Sequence, residues 1–280
     1  RSLKFMDKLK ILLIGCGNMG GSLLEGIVKS YDNFNLVDVV DPVINDSFKK
    51  KFKASRTNFY SDISVLKGST SYDSIIIATK PNNYIEILKN LKNNIIVNEE
   101  TLIISILAGI KIKKIEDVIG SVPIIRAMPN IAASVAEGMT ALIGSKIVKN
   151  NEIDTANMIF QSIGNKIWLE DEGQMDSFTA ISGSGPAYFF YFTECLYQIA
   201  INEGFSEDLA KQISEQIIIG SGKLIKDSNI GVAQLRKNVT SPNGTTEAAL
   251  KVLSGDDALL NKLSEAIEKA KKRSIEIANN

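Results

Sequence analysis

Residues Lys10-Ile-Leu-Leu-Ile-Gly15-Cys-Gly17-Asn-Met-Gly20 decide the architecture. Four consecutive apolar residues run into Gly-x-Gly-x-x-Gly, and a helical pattern follows over Met19–Lys29. This is the strand–turn–helix opening of a dinucleotide-binding unit. Gly15 permits the tight turn, Gly17 leaves room for a pyrophosphate beside the backbone, and Gly20 lets the helix pack closely on the sheet. With Asn18 and Met19 between them, these glycines set an anion on a helix N-terminus, where free N–H groups and the helix dipole favour it. Cys16 fills a variable loop position and reads as a packed small residue, not a reactive thiol.

Outward from this motif the first half alternates apolar runs with helical patterns. The runs are Ile11–Ile14, Leu36–Val40, Ser74–Ala78, Leu102–Leu107 and Val122–Ile125, with helices near Met19–Lys29, Asn82–Leu91 and Ile112–Ile119. Continuous apolar strands separated by helices indicate a mostly parallel sheet covered on both faces. A strand at Met139–Gly144 and a helix around Glu152–Ile163 complete the domain. Asp41 ends the second run, about 20 residues beyond the glycines, where a carboxylate hydrogen-bonds the ribose of NAD and repels the 2′-phosphate of NADP. The alternative is a turn-starting Asp before Pro42. The cofactor expectation is therefore NAD(P)H, with Asp41 favouring NADH and NADPH left open.

Past Trp168 the pattern becomes helical. Leu209, Ile213, Ile217 and Leu224 repeat at helical spacing behind Ser206, a candidate N-cap, and Leu260, Leu263, Ile267, Ala270, Ser274 and Ile277 form a second stripe. The helix entered at Pro186 is apolar on nearly every face (Phe189, Phe190, Tyr191, Phe192, Leu196, Ile199) and calls for a partner subunit to cover it. Glu194 within it needs a partner if buried. The fold class is α/β: a Rossmann-like dinucleotide-binding domain with a mostly parallel sheet (1–168), then an all-α dimerisation domain (169–280).

Composition narrows the chemistry. Lys+Arg and Asp+Glu are each 32, so the chain is neutral and has no basic stripe for nucleic acid or an anionic membrane. Lys49-Lys50-Lys51 reads as a solvated helix face. Two distant cysteines, Cys16 and Cys195, point to a reducing, cytoplasmic setting and to no metal site. Arg1–Lys10 is too short and too charged for a signal peptide, with Met6 a candidate start. Histidine is absent, which removes His-based triads and imidazole-ligated zinc.

The loop Ser241-Pro-Asn-Gly-Thr-Thr246 precedes a helical run, Glu247–Leu253. Its hydroxyls and free N–H groups together suit a small carboxylate at a helix N-terminus, more than capping alone requires. Asn130, after Pro129, could reach a nicotinamide carboxamide or only shape a turn. Lys80 could face the cofactor or simply the solvent.

Four segments, Ala78-Thr-Lys80-Pro81, Arg126-Ala-Met-Pro129-Asn130, Ser182-Gly-Ser-Gly-Pro186-Ala-Tyr188 and Leu235–Thr246, follow the Gly-Cys-Gly-Asn-Met-Gly start in order. Together they resemble pyrroline-5-carboxylate reductase over nearly the whole chain. The resemblance implies reduction of 1-pyrroline-5-carboxylate to L-proline with NADPH or NADH, the last step of proline synthesis. It implies a homodimer through interlocked helical domains, in some relatives a ring of dimers. It places Ala78–Pro81 and Ala108-Gly109 along the cofactor crevice, and the loop Ser241–Thr246 around the substrate. Two departures stand out. Asn243 replaces the first Gly of the family's Ser-Pro-Gly-Gly, and Asn tolerates left-handed backbone. Ser61-Asp62 stands where many relatives have Asp-Asn, adding to the preference for NADH.

An imine reductase also accounts for the missing histidine. A protonated imine takes hydride directly at carbon and becomes a neutral amine, whereas a carbonyl becomes an alkoxide that needs a positioned acid. Thr246 is the candidate for the ring nitrogen and Ser241 for the carboxylate, with Asn243, Gly244, Thr245 and Ser184 around the substrate. One rival is a β-hydroxyacid dehydrogenase, whose chemistry uses a lysine early in the first long C-terminal helix; Ala187–Glu203 contains none, and the next is Lys211. Another is a non-catalytic dinucleotide sensor, which would need no ordered hydroxyl loop.

Overall fold

A computed structural model describes residues 9–30, 34–53, 55–66, 71–95 and 97–279. Of the stretch Arg1–Lys10, residues 1–8 lie outside the described residues. The described chain divides into two units, 1–183 with 272–280, and 184–271.

In the first unit the apolar runs become a sheet of order β3-β2-β1-β4-β5-β6-β7-β8. Its strands are β1 (Leu9–Ile14), β2 (Phe34–Val40), β3 (Thr57–Tyr60), β4 (Ser74–Ile77), β5 (Leu102–Ser105), β6 (Ile124–Met128), β7 (Gly138–Gly144) and β8 (Gly164–Trp168). Strands β1 to β6 pair in parallel, β7 runs antiparallel to β6, and β8 is parallel to β7. The crossover helices are α1 (Asn18–Lys29), α2 (Asp46–Lys50), α3 (Tyr84–Asn94), α4 (Ile112–Ile119) and α5 (Asn150–Gln161), followed by the short α6 (Gln174–Phe178).

Alternate residues of the strands feed two separate cores, one per face. Leu12, Ile75, Ile77 and Ile103 pack with Leu88, Leu91 and Ile115. Ile11, Leu13, Ile76 and Ile104 pack with Leu23, Leu24, Ile159 and Phe160. Burial on both faces is why these strands read as unbroken apolar runs. The edge strands β3 and β8 lack such runs for the complementary reason: each is half exposed, and Gly164–Trp168 alternates in burial. β3 is also fixed by polar groups, since buried Asp38 of β2 accepts from Asn58 Nδ2 at 2.9 Å and from the Tyr72 hydroxyl at 2.6 Å. Burial, and then that hydrogen bond, push the Tyr72 phenol well up.

The basic run at Lys49–Lys51 ends α2 in solvent-facing ion pairs with Asp46 and Glu25. Trp168 packs at the edge of the second core and donates from Nε1 to Asn157 Oδ1 at 3.0 Å.

The second unit is helical: α7 (Gly185–Asn202), α8 (Glu207–Asp227), α9 (Val232–Asn238), α10 (Thr245–Ser254) and most of α11 (Ala258–Asn279). Ser206 caps α8, its side chain accepting from Leu209 N at 3.4 Å. Between 184 and 271 only Gly185, Ala200, Ala210 and Ser214 are buried in the single chain. Phe189, Phe190 and Tyr191 of α7 are each more than 60% exposed. A lone chain thus leaves this unit without a large apolar core, and a stable fold requires its faces to be covered. Among the described residues, no helix is long and apolar enough to cross a membrane.

Candidate active site

The sheet order reverses between β1 and β4, and ligands of such folds bind where that crevice opens at the carboxyl ends of the strands. At this point Gly15, Asp41 and Lys80 line a cleft of about 460 Å³ together with Ser61, Asp62, Thr79, Asn82 and Asn83.

The glycine loop is shaped by close backbone approach. Gly15 has φ +90°, and a Cβ on it would sit 2.8 Å from the Ala78 carbonyl; a Cβ on Gly20 would overlap the carbonyl oxygen of Gly15. Gly17 differs, because among the described residues a Cβ there would meet no atom within 4 Å, so packing does not call for glycine at that position. It opens onto the first turn of α1, which has neither a side-chain cap nor an acidic residue. Free N–H groups beside an empty Cβ position suit a pyrophosphate. The Thr79 hydroxyl is buried in the same cleft without a partner among the described residues, a donor a bound group could satisfy. The residues present therefore fit a dinucleotide. Asn18 is exposed at the start of α1, and Met19 packs on the core below it.

Asp41 takes the turn-starting role and also lines the cleft. Its Oδ2 accepts from Cys16 N at 2.6 Å and its Oδ1 from Val43 N at 2.8 Å, so it starts a turn while its charge stays on the cleft wall. Burial, with Asp41 and Glu25 nearby, pushes the Cys16 thiol up to about 12, so it stays protonated and inert at neutral pH. Asp62 accepts from Ser64 N at 2.7 Å, and hydrogen bonds from Ser64 hold its carboxyl below the usual range.

Ala78 follows β4, and its N–H donates to Ile14 O at 2.8 Å; Pro81 begins a 3₁₀ turn, Pro81–Asn83. Ala108 is exposed just past β5, next to Gly109 at φ +76°. Asn130, past β6, does not line the cleft. Its Nδ2 donates to Ser182 O and Oγ at 3.1 and 3.3 Å, and its Oδ1 accepts from Met139 N at 3.2 Å. Its amide is spent within the protein, which favours the turn-shaping alternative.

In the second unit the hydroxyl loop forms a tight turn, with Gly244 N donating to Ser241 O at 3.1 Å. Asn243 takes φ +59°, the left-handed conformation its substitution for glycine demands. Its N–H donates to Glu247 Oε2 at 2.8 Å. A Cβ on Gly244 would clash with Ser241 Oγ. Gly244 is the N-cap of α10 without a side-chain cap, leaving the first N–H groups of Thr245 and Thr246 available. Ser184 is the N-cap residue of α7, with Pro186 in its first turn.

Sequence reasoning missed Thr79, Asn82, Asn83 and the pair Arg126–Glu172. The first three lie in or beside the Ala78–Pro81 segment, yet only the folded crevice shows which of its residues face inward. Arg126 is 5% exposed at its side chain and bonds Glu172 Oε1 at 2.9 Å, an oxygen that also accepts from Ile112 N at 3.0 Å.

Comparison with known proteins agrees with this layout. Residues 172–277 match the family model for pyrroline-5-carboxylate reductase dimerisation, and residues 10–109 match that for NADP oxidoreductase, coenzyme F420-dependent. A pyrroline-5-carboxylate reductase of Pseudomonas aeruginosa is 32% identical over 98% of this chain and 98% of its own. One from Methanosarcina acetivorans is 32% identical over 95% and 98%. Among solved structures, a pyrroline-5-carboxylate reductase from Coxiella burnetii superposes with a TM-score of 0.87 at 30% identity, covering 96% of this chain and 98% of that one. A pyrroline carboxylate reductase from Plasmodium falciparum with NADP bound gives 0.78 at 30% identity, covering 98% and 99%. Full-length similarity at this level, on the same fold, means that the chain belongs to the pyrroline-5-carboxylate reductase family.

Proposed function

We propose that the chain reduces 1-pyrroline-5-carboxylate to L-proline with a nicotinamide dinucleotide, as a homodimer paired through its helical unit. The observation that carries this reading is the turn Ser241–Thr246: Gly244 packed so that an added Cβ would displace the Ser241 hydroxyl, an Asn held left-handed, and a helix start with two threonines and no side-chain cap. That set offers a planar carboxylate several donors at once.

Gly15, Gly17, Asn18, Met19 and Gly20 cradle the pyrophosphate, with Asp41, Ala78, Lys80, Pro81 and Ala108 along the rest of the dinucleotide. When bound, the nicotinamide supplies the hydride. Ser241, Asn243, Gly244, Thr245 and Ser184 hold the carboxylate, and Thr246 bonds the ring nitrogen. Because the iminium carbon is already electrophilic, the protein contributes orientation and exclusion of water rather than a strong acid. Asp41 cannot swing away from a 2′-phosphate without breaking its bonds to Cys16 N and Val43 N, which supports a preference for NADH. Read by sequence, the dinucleotide-binding domain is 1–168 and the helical domain 169–280, whereas by contacts 169–183 and 272–280 group with the sheet unit; the setting is reducing and cytoplasmic, consistent with free Cys16 and Cys195. A ring of dimers requires a second surface on each dimer, and the mass of the assembly in solution reads this directly.

The test is steady-state oxidation of NADH and of NADPH with 1-pyrroline-5-carboxylate, with a 3-keto acid as control. Imine-dependent turnover with a larger kcat/KM for NADH is expected. A dimer that binds the dinucleotide and leaves the imine untouched would overturn the reading in favour of a sensor.

A further inference from the structure

The Arg126-Ala-Met-Pro-Asn130 segment carries two polar side chains that do not line the dinucleotide cleft, and both reach the same neighbouring stretch of chain. Arg126 of β6 bonds Glu172, and Asn130, two residues past β6, bonds Ser182 twice. Between these two anchor points lies α6, and Ser182 itself belongs to a π-helical turn, Thr179–Gly183. Such turns sacrifice regular hydrogen bonding and persist where the surroundings hold them. Here the turn has local support from the Thr179 hydroxyl, which donates to Met175 O at 2.8 Å, and Gly183 faces Met128 of β6 closely enough that an added Cβ would lie 3.5 Å from its Cε. Ser182 is two residues before Ser184, one of the residues assigned above to the substrate.

The geometry points to Asn130 as a positioning residue: it clamps the π-helical turn to the carboxyl end of β6 and thereby fixes the point from which the chain leads into Ser184. The clamp rests on the proposed imine reduction for its kinetic consequence, and on the three hydrogen bonds for its structural one. Asn is required because the position must donate to Ser182 and accept from Met139 N with one planar group. Asp keeps the acceptor and loses both donors. Arg126 holds the far end of the same segment, and its partner Glu172 also ties down the start of α4.

The experiment compares wild type, Asn130→Asp, Ser182→Ala and the double variant as full-length dimers. It reads the imine KM, kcat, the Kd of NADH and of ADP-ribose, and backbone hydrogen exchange. Asn130→Asp is expected to raise the imine KM on the order of tenfold, the effect of losing one to two hydrogen bonds. Both dinucleotide Kd values should stay within about twofold, since no cofactor contact is lost. Exchange should quicken in Thr179–Gly183, Ser182→Ala should show a smaller effect, and the double variant should be no worse than Asn130→Asp alone. A weaker NADH Kd with unchanged ADP-ribose binding would instead put Asn130 on the nicotinamide and overturn the clamp. Unaltered exchange in Thr179–Gly183 would overturn it too, and this readout stands even if the wild type proves inactive on the imine, an outcome that would sink the proposed reaction alone. A lowered melting temperature with unchanged KM and kcat would overturn the positioning role and leave Asn130 a merely structural residue.

Discussion

In the sheet unit, β4 buries Ile75, Ile76 and Ile77 completely, and two cores close over the strands within one chain. In the helical unit, residues 184–271 bury only Gly185, Ala200, Ala210 and Ser214, while large apolar side chains of α7 and α8 stay exposed. The difference teaches where each unit's stability comes from. A sheet covered on both faces satisfies its backbone and buries its side chains locally. Helices whose apolar residues lie uncovered in a single chain depend on a second copy, so folding and association become one equilibrium.

The comparison can be broken most severely on α7. Phe190→Glu should weaken self-association about a thousandfold or more, because a dimer that covers this exposed face would lose two phenyl rings from it and gain two carboxylates. Sedimentation should show monomers, with loss of turnover and with NADH binding largely kept. Retention of the dimer would show that this face is covered otherwise. The matching change in the sheet unit is Leu88→Ala, fully buried in one of its cores. It should cost about 2–5 kcal/mol of stability, measured by denaturant titration, without altering dimer affinity.

Smaller effects sharpen the division of labour at the site. Thr246→Ala should lower kcat on the order of a hundredfold with the NADH Kd unchanged, in keeping with loss of a positioned hydrogen bond. Unchanged turnover would remove Thr246 from the chemistry. Asp41→Ala should weaken NADH several-fold, about 1 kcal/mol, while NADPH is weakened less or gains, as fluorescence titration of both would show. Equal losses would leave Asp41 as a loop support alone. Finally, Cys16 should resist a thiol-specific reagent at pH 8 in the native protein. Its folded pKa is raised to about 12, above the ordinary thiol value, so the stabilising contribution of this protonated thiol is complete below about pH 9 and is lost as pH rises toward 12. Cys16→Ala should flatten that alkaline loss of stability, and rapid labelling at pH 8 would contradict a shielded, protonated thiol.

Much of this was legible in one dimension. The glycine spacing, the apolar runs of β1, β2, β4 and β5, and the helix Ile112–Ile119 follow from local sterics and periodicity, and α4 matches its expected ends. Ser206 as a cap and Asn243 in a left-handed turn follow equally from local chemistry. The half-exposed edge strands β3 and β8 were not legible, because one-sided burial leaves no continuous apolar signature.

The sequence by itself therefore determined the dinucleotide-binding class, the helical second half and the hydroxyl loop, since each depends on residues within one short window. Tertiary structure alone decided what side chains with long-range partners do. Asn130 meets Ser182 across 52 residues, Arg126 meets Glu172 across 46, and Asp41 meets Cys16 across 25. No local pattern encodes such pairs, because they exist only once the strand order has brought distant segments together and burial has left each polar group in need of a partner.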